Sequence, residues 1–216
     1  IDLYELAKVR NYDDLLRALE HTDYKKILER YRDNYSEDGM FILIENELNK
    51  YRFSFLIKSV KLSKDHRKKK EIYEIINYRL DMYTLTRAYR LLNLGSPNKM
   101  FIRDFTVKGC TNFSEKDMQA ISDAKSATEI VKLIPNTYYK KDFSIIDFKY
   151  IENATTEMLI RRLLKGFRYY TNPTAVMLCY LFLAENEVRN IIHIVEAIKY
   201  NIPTEKAKSV LIGTES

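Results

Sequence analysis

Between residues 75 and 92 the chain reads Ile75-Ile76-Asn77-Tyr78-Arg79-Leu80-Asp81-Met82-Tyr83-Thr84-Leu85-Thr86-Arg87-Ala88-Tyr89-Arg90-Leu91-Leu92. Within it, Ile75, Tyr78, Met82, Leu85, Tyr89 and Leu92 step by three and four, which lines them along one side of an α-helix. Adding 106 to each number gives Leu181, Ala184, Val188, Ile191, Val195 and Ile198, all apolar and in the same phase. The same shift carries Asp81 onto Glu187 and Pro97 onto Pro203. A long amphipathic helix, present twice, is the first expectation, and both stripes are expected to face packed interiors.

The repetition extends outward from that helix. His21-Thr22-Asp23-Tyr24-Lys25-Lys26 returns as Asn136-Thr137-Tyr138-Tyr139-Lys140-Lys141 at an offset of 115, and there Leu3, Leu6, Leu15 and Leu16 meet Met118, Ile121, Ile130 and Val131. Ile44-Glu45-Asn46 returns as Ile151-Glu152-Asn153 at an offset of 107. We therefore read the chain as all-α, a tandem repeat of helical units covering residues 1–108 and 109–216. Local signals agree. Phe41, Ile44, Leu48, Tyr51 and Phe55 form another stripe assigned to the core. Ser114 with Asp117, and Ser126 with Glu129, have capping-box spacing. Gly95 with Pro97, and Thr171-Asn172-Pro173, read as helix breaks, and a helix over 68–94 would run about 40 Å.

The bulk composition suits this reading. Of 216 residues 46% are hydrophobic, enough for a sizeable core, while five Gly and four Pro are too few for a turn-rich β architecture. Thirty-six Lys and Arg against 30 Asp and Glu leave +6, which suits acidic partners but is spread too evenly for a nucleic-acid stripe. The dense run at 64–70 reads as a solvated loop or helix start. Cys110 and Cys179 have no metal or redox spacing and read as reduced thiols of a cytoplasmic protein. The longest apolar run, Ala175 to Ala184, is about half of a membrane span.

Chemistry is hard to place on this chain. The glycines stand apart, with no phosphate-cradling loop, and His21, His66 and His193 lack zinc-ligand spacing, so no cofactor and no metal is expected. Asp81 and Glu187 fall in separate copies, which speaks against a paired-carboxylate active site, and no catalytic residue is assigned. His193 reads as a polar contact beside the apolar stripe. Glu185 and Arg189 read as an i, i+4 pair on an exposed helix. The best candidate contact surface is Arg161, Arg162, Lys165 and Arg168, followed by Tyr169 and Tyr170. A helical nucleic-acid-binding or scaffold module is the alternative reading, because 17 Tyr and ten Phe also suit a stacking platform.

The closing segment, Leu181-Phe182-Leu183-Ala184-Glu185-Asn186-Glu187-Val188-Arg189-Asn190-Ile191-Ile192 and then Ala197-Ile198-Lys199-Tyr200-Asn201-Ile202-Pro203, resembles the last helix of the C-type subunits of the V/A-type rotary ATPases, whose eukaryotic equivalents are the d-type subunits. Residues 78–90 resemble the corresponding helix of the family's internal repeat, with Thr84 where the family commonly has Asn. The resemblance implies a funnel of three similar helical units, of which two are visible, so a preceding unit is expected to be missing. It also implies a non-catalytic subunit that seats the central stalk on the membrane rotor ring. The expected partners are then the rotor ring subunits and central stalk subunits, with no nucleic acid, and membrane contact only indirectly through the ring. The expected location is cytoplasmic and peripheral to the membrane.

Overall fold

A computed structural model describes residues 1–35, 40–62, 69–93, 110–144 and 150–213, apart from the side chains of Ile42 and Leu62. The described residues are helical, with no strand among them. In chain order the helices are α1 Leu3–Ala7, α2 Tyr12–Ala18, α3 Asp23–Leu28, α4 Met40–Leu62, α5 Lys69–Asn93, α6 Glu115–Asp123, α7 Ala127–Leu133, α8 Lys140–Phe143, α9 Ile151–Tyr169, α10 Pro173–Lys199 and α11 Thr204–Lys208. Some of their boundaries fall at the sequence offsets. Both ends of α2 and α7 are 115 residues apart, the C-terminal residues of α4 and α9 are 107 apart, and those of α5 and α10 are 106 apart. The Gly95 and Pro97 stop and most of the basic run at 64–70 lie outside the described residues.

Several helix starts are written locally. Ser114 and Asp117 close a full capping box on α6. At α7 the Ser126 side chain accepts from Glu129 N, but the Glu129 carboxylate reaches one residue further back, to Lys125 N at 2.8 Å. Asn11 caps α2 through Asp14 N at 2.8 Å. Asn172 caps α10 through Thr174 N at 2.9 Å, and Pro173 occupies the first turn, where its missing N–H costs nothing.

Packing divides the chain into two compact units, Ile1–Leu56 and Ile57–Ser216. In the first, Leu16, Leu19, Leu28 and Ile44 are buried, with Leu6, Tyr12, Leu15, Tyr24 and Leu48 packed partly buried around them. In the second, α5 is the central element, with α6, α7, α9 and α10 all packed on it. Of its stripe Ile75, Tyr78, Met82 and Leu85 are buried and Tyr89 and Leu92 half-buried, while Ile72, Ile76, Leu80, Ala88 and Leu91 are buried on other faces. Each such side chain contributes about 1.5–3 kcal/mol on leaving water. Facing them are Ile121, Ile130, Ile134, Ile151 and Met158, each buried.

The matching stripe on α10 is not buried. Leu181, Val188, Ile191, Val195 and Ile198 are between half and three-quarters exposed, and only Ala175, Cys179, Asn186 and Ala197 of that helix are buried. The expectation that this stripe faces a packed interior is overturned. The residues of α10 that pack are a narrow line of small side chains, which lets α9 approach closely: a Cβ on Gly166 would stand 2.9 Å from Cys179 Sγ and 2.5 Å from the Tyr170 ring. The α4 stripe is also only partly used. Ile44 is buried, but Phe41 and Phe55 are 74% and 59% exposed.

Candidate interaction surfaces

The buried polar centre of the second unit lies around Asp81. Thr111 Oγ1 donates to its Oδ1 at 2.5 Å, while Asn112 N at 2.8 Å and Tyr139 OH at 2.6 Å donate to its Oδ2. These bonds tie the mid-point of α5 to the segment that leads into α6 and to the turn before α8. Burial pushes the Asp81 carboxyl up to about 6, and the three donors pull the other way. Tyr139 stacks edge-on against Tyr78 at 4.9 Å, and Tyr78 OH donates to Asp142 at 2.7 Å. Burial raises both phenols above their ordinary range. This is a structural staple that joins α5 to the segments before α6 and α8.

Glu187, the sequence counterpart of Asp81, is exposed on α10. His193 lies on the same helix with Nδ1 3.7 Å from Glu196. It lines an open cleft of about 1,190 Å³ with Arg161, Glu157 and Lys206. Among the described residues the donors to Asp81 are Thr111, Asn112 and Tyr139, none of them on α10. Glu185 makes the i, i+4 ion pair with Arg189 that its spacing suggests, and takes a second, shorter partner from another helix. Arg79 Nη2 donates to both its carboxylate oxygens, at 2.7 and 3.0 Å, and stacks 3.8 Å from the Phe182 ring, while Arg189 stays at 3.8 Å. Among the described residues no group of His, Cys, Asp and Glu side chains has the arrangement to hold a metal ion.

The basic cluster on α9 is split by its own helix. Consecutive positions point about 100° apart, so Arg161 and Arg162 cannot share a face. Arg162 turns inward, pairs with Glu74 on α5 and neighbours Tyr170, whose OH donates to Glu74 at 3.0 Å. Arg161, Lys165 and Arg168 stay on the exposed side with Tyr169, and Arg161 also pairs with Glu157 at 2.7 Å. Three cations thus share an exposed helical row, with the fourth held inside. Tyr138 is exposed and Tyr139 wholly buried, so the tyrosine pair divides in the same way.

Sequence reasoning missed the second surface, the outer face of α10. Exposed Tyr180, Leu181, Val188, Ile191, Val195 and Ile198 make an apolar strip along most of a 27-residue helix. A strip of this length is far more than scattered surface hydrophobics. The first unit carries its own open apolar site, a groove of about 500 Å³ between α1–α3 and the start of α4, lined by Leu6, Leu15, Leu19, Tyr24, Phe41 and Leu48 among others.

The sequence model of a family described as ATP synthase (C/AC39) subunit matches residues 1–210. Among curated proteins, the C-type subunit of the A-type ATP synthase of Pyrococcus abyssi (strain GE5 / Orsay) is 24% identical over 213 residues, covering 95% of this chain and 56% of that protein. The protein of the same name from Methanococcoides burtonii is 23% identical over 215 residues, covering 97% and 58%, and that from Methanobrevibacter smithii is 22% identical over 156 residues, covering 71% and 40%. The chain spans about half the length of the curated relatives it matches. No solved structure gives a significant match.

Proposed function

Because this chain belongs to the ATP synthase (C/AC39) subunit family, we propose that it is a non-catalytic adaptor of a V/A-type rotary ATPase, joining the central stalk to the membrane rotor ring. The observation that carries the reading is the family match across residues 1–210. The physical character of the chain supports it. Long helices around a closely filled centre resist deformation, which torque transmission requires. Among the described residues no helix is long and apolar enough to cross a membrane. The exposed row of Arg161, Lys165 and Arg168 is a surface for acidic loops of the stalk or ring, and Arg162 supports the helix from behind.

The same row is what a nucleic-acid binder would display, and salt separates the two readings. Affinity for nucleic acid falls steeply as salt rises, because bound counterions are released. The adaptor reading expects this chain to co-purify with both the stalk subunits and the detergent-solubilised ring. It expects only weak, salt-labile retention of single-stranded DNA or RNA. Tight RNA binding at about 50 mM salt that is lost by about 200 mM, together with no capture of stalk or ring, would replace the adaptor with the nucleic-acid module.

A further inference from the structure

The segment that follows α11 turns back and lies against α10. There Asn186 Nδ2 and Asn190 Nδ2 both donate to the Ile212 carbonyl at 2.9 Å, and Ile212 N donates to Asn190 Oδ1 at 3.3 Å. The two asparagines stand four residues apart, about one helical turn, so their amides project from one face of α10. What they hold is main chain, an N–H and a C=O that any residue other than proline presents. The grip does not depend on the isoleucine side chain. The next position is selective. Gly213 has a φ of +74°, and a Cβ there would stand 2.8 Å from Cγ2 of Ile160, which is buried on α9. Glycine alone combines that backbone with so close an approach at no steric cost.

The site has more capacity than its occupant uses, and the occupant is lightly held. Asn186 is 9% exposed, and its Oδ1, in the same amide that donates to Ile212, has no hydrogen-bond partner among the described residues. A buried acceptor left empty costs about 1–3 kcal/mol, and a further N–H on a bound segment would satisfy it. The arm that carries Ile212 buries little: no residue of α11 is buried, Val210 is exposed, and Leu211 and Ile212 are half-buried. Residues of the same arm also line the open cleft of about 1,190 Å³. Segments with few buried contacts open at small cost in free energy.

We propose that Asn186, Asn190 and Ile160 form a peptide-docking site, occupied in cis by Leu211 to Gly213, and that a partner's segment carrying an apolar residue followed by glycine exchanges for it. The occupant's chemistry is that of the cis segment: a main chain for the two amides to grip, and a glycine to pass Ile160. Covalent attachment gives the cis segment an effective concentration of about millimolar, so a partner segment competes best when its own protein is already docked on this chain. The grip uses neutral amides, so exchange is insensitive to salt, unlike capture by the Arg161 row. This inference goes beyond the adaptor reading, and its test involves neither stalk nor ring.

The test uses the 216-residue chain and a fluorescein-labelled peptide with the sequence of Lys208 to Gly213, followed by anisotropy, with circular dichroism as the check on folding. Gly213→Val evicts the cis segment by its clash with Ile160, and Ile212→Pro does so independently by removing the N–H that Asn190 Oδ1 accepts. Each variant is expected to bind the peptide about tenfold or more tightly than the wild-type chain, whose own segment competes. Adding Asn190→Ala to either should weaken binding about tenfold. A peptide ending in valine in place of glycine should not compete. Raising salt from about 50 to 500 mM should change the affinity by less than about twofold. Folded Gly213→Val and Ile212→Pro chains that do not bind the peptide overturn the proposal. Equal binding by the wild-type chain, or binding that survives Asn190→Ala, overturns it as well, because the peptide then sits elsewhere.

Discussion

Asp81→Ala should cost about 3 kcal/mol of stability at neutral pH, because Thr111 Oγ1, Asn112 N and Tyr139 OH would lose a shared acceptor in a buried site. The cost should be larger in acid. The carboxyl stands at about 6 in the folded chain against 3.8 when free, so between those values the folded state holds more proton than the unfolded state. Stability from this linkage is full below about 3.8 and declines as pH rises through about 6, by about 3 kcal/mol in all. Asp81→Asn keeps one acceptor oxygen and removes the titration. Denaturant melts of wild type and Asp81→Asn at about pH 4 and pH 8 should therefore differ in a pH-dependent way, the Asn variant gaining ground at pH 8. A gap that is the same at both values would show that Asp81 is not held out of water.

Gly166→Leu is expected to have the other large effect. The new Cβ would lie 2.5 Å from Tyr170 Cε2 and 2.9 Å from Cys179 Sγ. Tyr170 is tied by its hydroxyl to Glu74, and Cys179 is wholly buried on the facing helix, so the Tyr170 ring must give up that bond and α9 must move from α10 to make room. The loss should reach about 3 kcal/mol or more, while Gly166→Ala recovers part of its clash through better helix propensity. Thiol labelling gives a direct readout. Both cysteines are free and buried, and burial pushes the Cys179 thiol up to about 11, so the wild-type protein should react slowly. Rapid labelling of Cys179 in Gly166→Leu is the expected result, and wild-type protection in that variant would mean the helices do not meet at this glycine.

Much of the architecture was legible because it rests on local rules. The α5 stripe at three- and four-residue steps, the Ser114 capping box and the Asn172-Pro173 start of α10 each depend on residues a turn apart, and each is where the spacing put it. What depends on distant neighbours was not legible. Leu181 to Ile198 has the same pattern as Ile75 to Leu92, yet one face is covered and the other exposed, since periodicity reports that a face is apolar and not what lies on it. Glu185 pairs with Arg189 at helical spacing, but its shorter contact is with Arg79 from another helix, a partner no local rule names. The basic cluster shows the reverse case. The roughly 100° step between Arg161 and Arg162 already separated their faces, but only Glu74 on α5 explains why Arg162 is the one that turns in.

The most direct measurement of the central claim is ATP-driven ion transport by the rotary ATPase reassembled in vesicles with and without this chain. The adaptor account predicts that, without it, the catalytic head still hydrolyses ATP while the stalk fails to engage the ring and ion transport is lost, and that adding the chain restores transport. Fully coupled transport in its absence, with the stalk still seated on the ring, would contradict the account.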